Sequence, residues 1–249
     1  MNHVREVAQL LRDAERIVAF TGAGVSTASG IPDFRSSGGI FDQLTGRQYS
    51  GEEALSVPFF ERYPELFFEN YRRTLDFPDA RPNVNHRFFR MLEEAGKDVA
   101  IVTQNIDNLH ESAGNKKVYP LHGNATKWHS LQTNQPVDAK EVQWDEKGIA
   151  VDANQNRVRP DIVLYGDPLN QQIIWDAVQA IQQADVLFVI GTSLQVMPAA
   201  SFVDEFQGRA SILINQTAVP RMNRFDVVIQ ERSELFLEKV WSAYTSLTE

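Results

Sequence analysis

Unbroken runs of Val, Ile, Leu and Phe restrict the fold of this chain more than any other feature. They occur at 16–20 (RIVAF), 99–102 (VAIV), 185–190 (DVLFVI), 211–214 (SILI) and 226–229 (DVVI), and none alternates apolar with polar as a half-wet strand would. A strand that is apolar on both faces must be covered on both faces, a condition met by a mostly parallel sheet with helices above and below. Helical periodicity fills the gaps. Val4, Val7, Ala8 and Leu11 share one face, and 84–95 reads as a helix stopped at Gly96. Ile173, Ile174, Ala177, Val178 and Ile181 mark another helix, and 235–244 closes the chain as a third. The expected fold class is therefore α/β.

Two stretches break this rhythm. Residues 37–80 are rich in Phe, Tyr, Glu and Arg without a clear strand, and read as short helices with a mobile loop at 36–39. Residues 124–158 are polar and rich in Asn and Gln, and within them 141–144 and 148–151 alternate like hairpin strands around 145–148. A small module inserted in the main sheet accounts for the second stretch. With 249 residues and 43% hydrophobic composition, the chain has enough apolar mass for one large core carrying such an insertion.

Charge and cysteine content exclude several classes of function. A net charge of −9 argues against nucleic acid and anionic membrane surfaces as partners, but leaves basic protein tails suitable as substrates. No apolar run approaches a membrane span and the first residues lack a secretory pattern, so a cytoplasmic setting is expected. Zero cysteines excludes disulfides and thiolate zinc sites.

Reactive chemistry concentrates where strands end. The segment TGAGVSTASGIPDFR at 21–35 follows the first apolar run, so Gly22 and Gly24 are expected to bring backbone N–H groups to an anion at a helix start. Asp33, Phe34 and Arg35 then add an acid, an aromatic and a base. TQNIDNLH at 103–110 begins where the strand at 98–102 ends, and loops leaving carboxyl ends of strands line the crevice of an open α/β sheet. Gln104, Asn105 and Asp107 therefore face a site, where an amide and a carboxylate two residues apart can hold a carboxamide and a ribose hydroxyl. The competing reading is an Asn/Asp turn that caps the following helix. His122 stands between an expected strand tip and Gly123, where a neutral imidazole suits general-base work, unless hydrogen bonds in the turn consume it. His3, His86 and His129 read as structural, and His110 as a brace of its own loop.

Taken in order, these segments with LHG at 121–123, RPDIVLYGD at 159–167, GTSLQV at 191–196 and Leu213-Ile-Asn215 resemble the sirtuins over nearly the whole chain. The resemblance implies an NAD-dependent protein lysine deacylase that passes the acyl group of an acyl-lysine protein substrate to ADP-ribose and releases nicotinamide. The implied fold is a Rossmann-type sheet with a small domain made of two insertions. Residues 1–36, 81–121 and 159–249 would form the NAD-binding domain, and 37–80 with 122–158 the small one. Ala23 and Gly24 would lie against the pyrophosphate, with Gly22 in the same turn, and Asp33, Phe34 and Arg35 in a loop over the nicotinamide end. Gln104, Asn105 and Asp107 would line the ribose and nicotinamide pocket. Gly191, Thr192 and Ser193 resemble the second phosphate and ribose contact, and Asn215 the adenine-ribose residue. Val163, Leu164, Tyr165 and Gly166, with Gln195 and Val196, would clamp the substrate backbone as an added strand. His122 would be the catalytic base, assisted by Asn105, and Phe34 would shield the reacting centre unless it is an ordinary core aromatic.

The chain departs from that family in ways that matter. Sirtuins commonly hold a zinc ion with two Cys pairs between the HG and RPD segments, whereas this chain has His129 and Gln132, then Val151 and Asn154, at those places. No zinc is expected, and because a structural zinc can supply roughly 10 kcal/mol to such a module, something must replace it. Trp128, Val142, Trp144, Ile149 and Val151 are the expected substitute, each large side chain contributing roughly 1.5–3 kcal/mol on burial. In place of the Tyr-x-x-Arg pair of desuccinylating members stands Glu69 three before Arg72, which favours small or apolar acyl groups. Tyr165 and Asp167 replace a usual Phe and Glu, and Gln230-Glu-Arg232 stands where small residues usually approach the adenine. A monomer is expected. An NAD hydrolase or protein ADP-ribosyltransferase on the same fold, or an NAD-sensing module, are the alternatives.

Overall fold

Burial on both faces puts the first strand at the centre of the sheet. In the computed structural model, which describes residues 2–44 and 49–248, helix α1 (Asn2–Asp13) leads into strand β1 (Arg16–Thr21), buried from its second residue onward. Two single turns of 3-10 helix follow, Ala23–Val25 and Thr27–Ser29. The chain then runs through the short helices α2 (Ile40–Leu44), α3 (Gly51–Ala54), α4 (Val57–Arg62) and α5 (Pro64–Thr74). Residues 45–48 of this expected insertion lie outside the described residues. Helix α6 (Val84–Glu94) returns the chain to β2 (Asp98–Thr103), α7 (Leu109–Ser112) and β3 (Lys117–Pro120). A second excursion builds β4 (Gly123–Ser130), β5 (Pro136–Val137), β6 (Gln143–Trp144), β7 (Ala150–Val151) and β8 (Val158–Ile162). The last third is α8 (Gln171–Gln183), β9 (Val186–Ile190), a 3-10 segment (Ala199–Glu205), β10 (Ala210–Ile214), β11 (Val227–Ile229) and α9 (Ser233–Thr248).

The main sheet has the order β11-β10-β9-β1-β2-β3 and is parallel throughout. Strand order reverses between β1 and β9, and this switch point opens a crevice at the carboxyl ends of the strands. Val7, Leu11, Phe88, Phe89, Leu92, Leu237 and Val240, from α1, α6 and α9, cover one face. Ala177 and Ile181 from α8, with Phe202, cover the other. The continuous apolar runs are thus strands with helices on both sides, as their composition requires.

The two excursions meet to form the second unit. β4 pairs antiparallel with β5 and with β8, and the register with β8 slips between Asn124 and Trp128. Because Gly123 lies opposite Ile162, a domain boundary at 159 falls inside a strand, and residues through 162 belong with the small sheet. The expected hairpin exists in shorter form, Gln143 and Trp144 against Val151 and Ala150, with Asp145 Oδ1 accepting the N–H groups of Lys147 and Ile149. Its expected first residue, Glu141, instead ends a 3-10 turn, Ala139–Glu141.

The apolar cluster that holds Trp128 is larger than the second insertion alone. Trp128 is 6% exposed, stacked on Phe68 at 6.4 Å and meeting Tyr71 edge-on at 5.5 Å, with Phe60 and Phe67 behind. Ile149 and Val158 complete this core, whereas Trp144 is 39% exposed and only its edge contacts reach Phe68 and Trp128. A module this short cannot bury enough surface by itself, so it takes its aromatic mass from α4 and α5. The Arg72 guanidinium lies 4.7 Å from the Trp144 ring centroid and shields its outer face.

A buried polar layer underlies the loops at the top of the main sheet. Asn83 caps α6 through the Asn85 N–H, its amide donates to Val25 O, and its own N–H donates to His86 Nδ1. His86 and His110 meet edge to face at 4.7 Å, and His110 Nε2 pairs with the Thr21 hydroxyl. Burial pushes His86 down to about 3 and holds His110 well below its ordinary range, with each imidazole neutral in the fold. Both structural readings of these histidines fit this arrangement.

Two outcomes follow from this packing. Trp128→Ala should cost about 3–5 kcal/mol in urea unfolding, and Trp144→Ala distinctly less, because only the former empties a closed site. The unfolded chain protonates its imidazoles near 6.5 while the fold keeps them neutral, so stability is complete above that pH and falls progressively toward about 3. Unfolding at pH 7.5 and 5 should show the loss, about 2 kcal/mol at pH 5 from His86. A His86→Gln variant should show a shallower slope, which separates this effect from Asp107 and Glu111, whose burial shifts them the opposite way.

Candidate active site

All six strands of the main sheet deliver residues to one cavity of about 660 Å³. Gly22 to Gly24 follow β1, Gln104 to Ile106 follow β2, and His122 follows β3; Gly191 to Ser193, Asn215 and Glu231 follow β9, β10 and β11. The small unit closes the opposite wall with Leu55, Leu75 and the segment 162–167. The sheet side offers backbone groups, hydroxyls and amides, while Phe34, Phe41, Leu55, Leu75, Ile106 and Ile162 make an apolar end.

The glycine turn is an interlock between two loops. Gly22 N–H donates to Ile190 O at 3.0 Å and Gly24 N–H to Gly191 O at 2.8 Å, so these donors are spent within the sheet and do not face an anion. The turn enters 3-10 rather than α-helix, and Ala23, its first residue, has the N–H that the turn itself cannot use. Gly191 has φ +62°, and a Cβ there would stand 2.6 Å from Val25 N, so only glycine lets the β1 and β9 loops approach this closely. Thr192 Oγ1 accepts from Gln104 Nε2 at 2.9 Å, tying the β9 loop to the β2 loop across β1.

Ser26 organises the TQNIDNLH loop. Because His86 Nδ1 accepts the Asn83 N–H, its proton is on Nε2, which donates to Ser26 Oγ at 3.4 Å. Ser26 also accepts from Asn105 Nδ2 at 3.1 Å and donates to Asp107 Oδ2 at 2.6 Å. Asn105, 7% exposed, is left with its carbonyl oxygen for the cavity it lines. Asp107 is different. It stands behind the cavity wall, its other oxygen accepts the Leu109 N–H at 2.9 Å, and burial raises its carboxyl above the ordinary range against these hydrogen bonds. The helix-capping reading therefore describes Asp107, whereas Gln104 and Asn105 line the cavity.

His122 is set up to accept a proton. Its Nδ1 lies 2.9 Å from Gln104 O, which only accepts, so Nδ1 carries the proton and Nε2 presents a lone pair. Burial lowers its pKa, partly opposed by that hydrogen bond, which keeps the ring neutral to lower pH than an exposed histidine. Gly123 behind it has φ +83°, and a Cβ there would collide with Asp161 O, so the β4–β8 pairing demands glycine beside the imidazole.

The loop 33–41 closes on itself. Asp33 accepts from the backbone of Arg35 and Ser36, Phe34 meets Phe41 edge-on at 5.6 Å, and Arg35 lies over the Phe41 ring. The opposite edge is braced by Arg159, which pairs with Asp167 at 2.7 Å and donates to Ile162 O. Val163 to Gly166 and Val196 line the cavity, but Tyr165 N–H donates to Leu55 O and Tyr165 O accepts Val57 N–H. An added strand therefore cannot use the backbone of Tyr165. Leu55, Leu75, Met197 and Glu231 also line the cavity. Leu55 and Leu75 carried no signal, since a single apolar residue in a short helical segment reads as core.

Comparison with known proteins agrees with this geometry. The model of the Sir2 family matches residues 22–198. The chain is 40% identical to an NAD-dependent protein deacetylase of Clostridium perfringens over 95% of this chain and 98% of that one, and 42% identical to one of Clostridium acetobutylicum over 96% and 98%. A solved complex of Sir2 with a p53 peptide and NAD+ superposes with a TM-score of 0.83 at 31% identity, covering 95% of this chain and 96% of that one. With its Rossmann-type sheet and a cleft supplied from every strand of it, the chain belongs to the Sir2 family.

Proposed function

We infer that this protein is an NAD-dependent protein deacetylase of the sirtuin type, with His122 as its general base. The observation that carries this reading is the imidazole whose Nδ1 is fixed on Gln104 O, with Nε2 unprotonated beside a cavity that is polar at one end and apolar at the other. The glycine interlock keeps the β1 and β9 loops within one pyrophosphate's reach, and Ala23 N–H and Ser193 stand there to receive it. Bound NAD supplies a glycosidic bond weakened by a cationic leaving group, together with the ribose that takes up the acyl group.

The chain's own residues supply placement and one proton transfer. Gln104, held by Thr192, and the Asn105 carbonyl, aimed by Ser26, orient the carboxamide and ribose end. Phe34 and Ile106 exclude water from it. His122 Nε2 removes a ribose hydroxyl proton, which makes that oxygen able to attack the acyl carbon, and Gln104 O stabilises the imidazolium through Nδ1–H. The larger domain binds NAD in this reading, and residues 37–80 with 122–162 present the modified lysine. Leu55, Leu75 and Phe41 favour uncharged acyl groups, since Arg72 is stacked on Trp144 and does not line the cavity. The second insertion folds without metal on the Trp128 core. The reading carries a cytoplasmic setting with it, where NAD and intracellular protein lysines meet.

Incubation with NAD and an acetyl-lysine peptide should yield acetyl-ADP-ribose, nicotinamide and free lysine in equal amounts. His122→Ala should lower the rate about 100-fold or more. Peptide-independent ADP-ribose would instead indicate a hydrolase, and ADP-ribose attached to protein a transferase. The acid limb of kcat/KM should have its midpoint below 6.5, because burial lowers the His122 pKa and activity is lost only once the ring is protonated. Elemental analysis of the purified protein should find no stoichiometric zinc, and chelation should leave its unfolding midpoint unchanged.

A further inference from the structure

Strand β4 leaves its ladder for three residues, and there it joins the small unit to the loop after β2. Asn124 lies opposite Asp161 and Trp128 opposite Pro160, which are neighbours on β8, so residues 125–127 have no partner on that strand. A bulge of this kind turns backbone groups out of the sheet and re-aims them. Both polar groups of the Ala125 backbone are taken up by other elements. Its N–H donates to Ile106 O at 2.8 Å, and its carbonyl accepts the Tyr71 hydroxyl at 3.1 Å. Beside it, Asn124 Nδ2 donates to Asn108 Oδ1 at 2.8 Å, which ties the same loop two residues further on.

These contacts form one line from the core of the small unit to the cavity. Tyr71 is 3% exposed with its ring against Trp128, and burial raises its phenol, so the hydroxyl keeps its proton and donates it. Ile106 stands in the cavity wall, between Asn105 and the turned-away Asp107, and packs on the same apolar cluster as Tyr71. We propose that Tyr71 is a positioning residue for the reaction, fixing Ile106 against the nicotinamide through the backbone of Ala125. The aromatic core around Trp128 thereby sets the wall of the cavity from which the leaving group departs. This inference rests on the NAD reading of the cleft.

Tyr71→Phe removes the hydroxyl and keeps the ring on Trp128, so the core stays filled and circular dichroism should stay native. Turnover of NAD with an acetyl-lysine peptide should fall about three- to tenfold in kcat, and product inhibition by nicotinamide should weaken by a similar factor. ADP-ribose carries no nicotinamide and does not reach Ile106, so its calorimetric affinity should stay within about twofold. In an Ile106→Ala background, Tyr71→Phe should change neither kcat nor nicotinamide inhibition further, because the residue it acts through is already gone. Unaltered kcat and nicotinamide inhibition in Tyr71→Phe would overturn the proposal. So would an equal loss of ADP-ribose affinity, or effects of the two substitutions that simply multiply. If the unaltered protein neither binds ADP-ribose nor forms acetyl-ADP-ribose, the NAD reading itself fails, and this inference with it.

Discussion

The close approach of the β1 and β9 loops is the constraint on which the rest of this structure depends. Parallel strands on either side of the order reversal end side by side, and Gly22, Gly24 and Gly191 let their loops interlock through backbone hydrogen bonds. Any side chain at these places would push the loops apart and carry Thr192 away from Gln104. Gln104 matters twice, since its side chain holds Thr192 and its carbonyl sets the tautomer of His122. A contact that looks like packing thus determines which nitrogen of the imidazole can take a proton.

Much of the main sheet was legible because strands buried on both faces leave an unmistakable composition. The apolar runs at 185–190 and 211–214 became β9 and β10 with shifts of one residue. The small sheet was harder to read, since β4 carries a register slip between Asn124 and Trp128 that breaks the alternation a sequence can show. The domain boundary that the resemblance implies, at 159, therefore falls inside β8, which stays with the small sheet through Ile162. In the site, spacing identified the loops but not the direction of each side chain. Asn105 and Asp107 are two residues apart in one loop, yet one lines the cavity and the other is turned onto Ser26 behind it. The roles of Gly22 and Gly24 were also hidden, because whether an N–H is free depends on a partner strand some 170 residues away.

The second insertion shows how a small unit gains stability from its neighbours. Its own residues contribute one deeply buried tryptophan, and helices α4 and α5 supply most of the rings around it. Leu55 and Leu75, which line the cavity, are members of that same apolar cluster. Stability of the module and shape of the apolar end of the cavity are therefore properties of one core, and a change in either is felt by the other.

In the proposed function, the self-braced edge from Arg159 to Asp167 bears on how a protein substrate is received. Its turn is held by an ion pair and by hydrogen bonds to Ile162 and Leu164, and Tyr165 is already joined to the helical insertion. A receptor surface frozen before encounter loses little conformational freedom on contact, so the incoming chain bears most of the ordering cost. Unstructured tails and loops, which can adopt an extended shape without disrupting a fold, are the segments such an edge favours over lysines in helices.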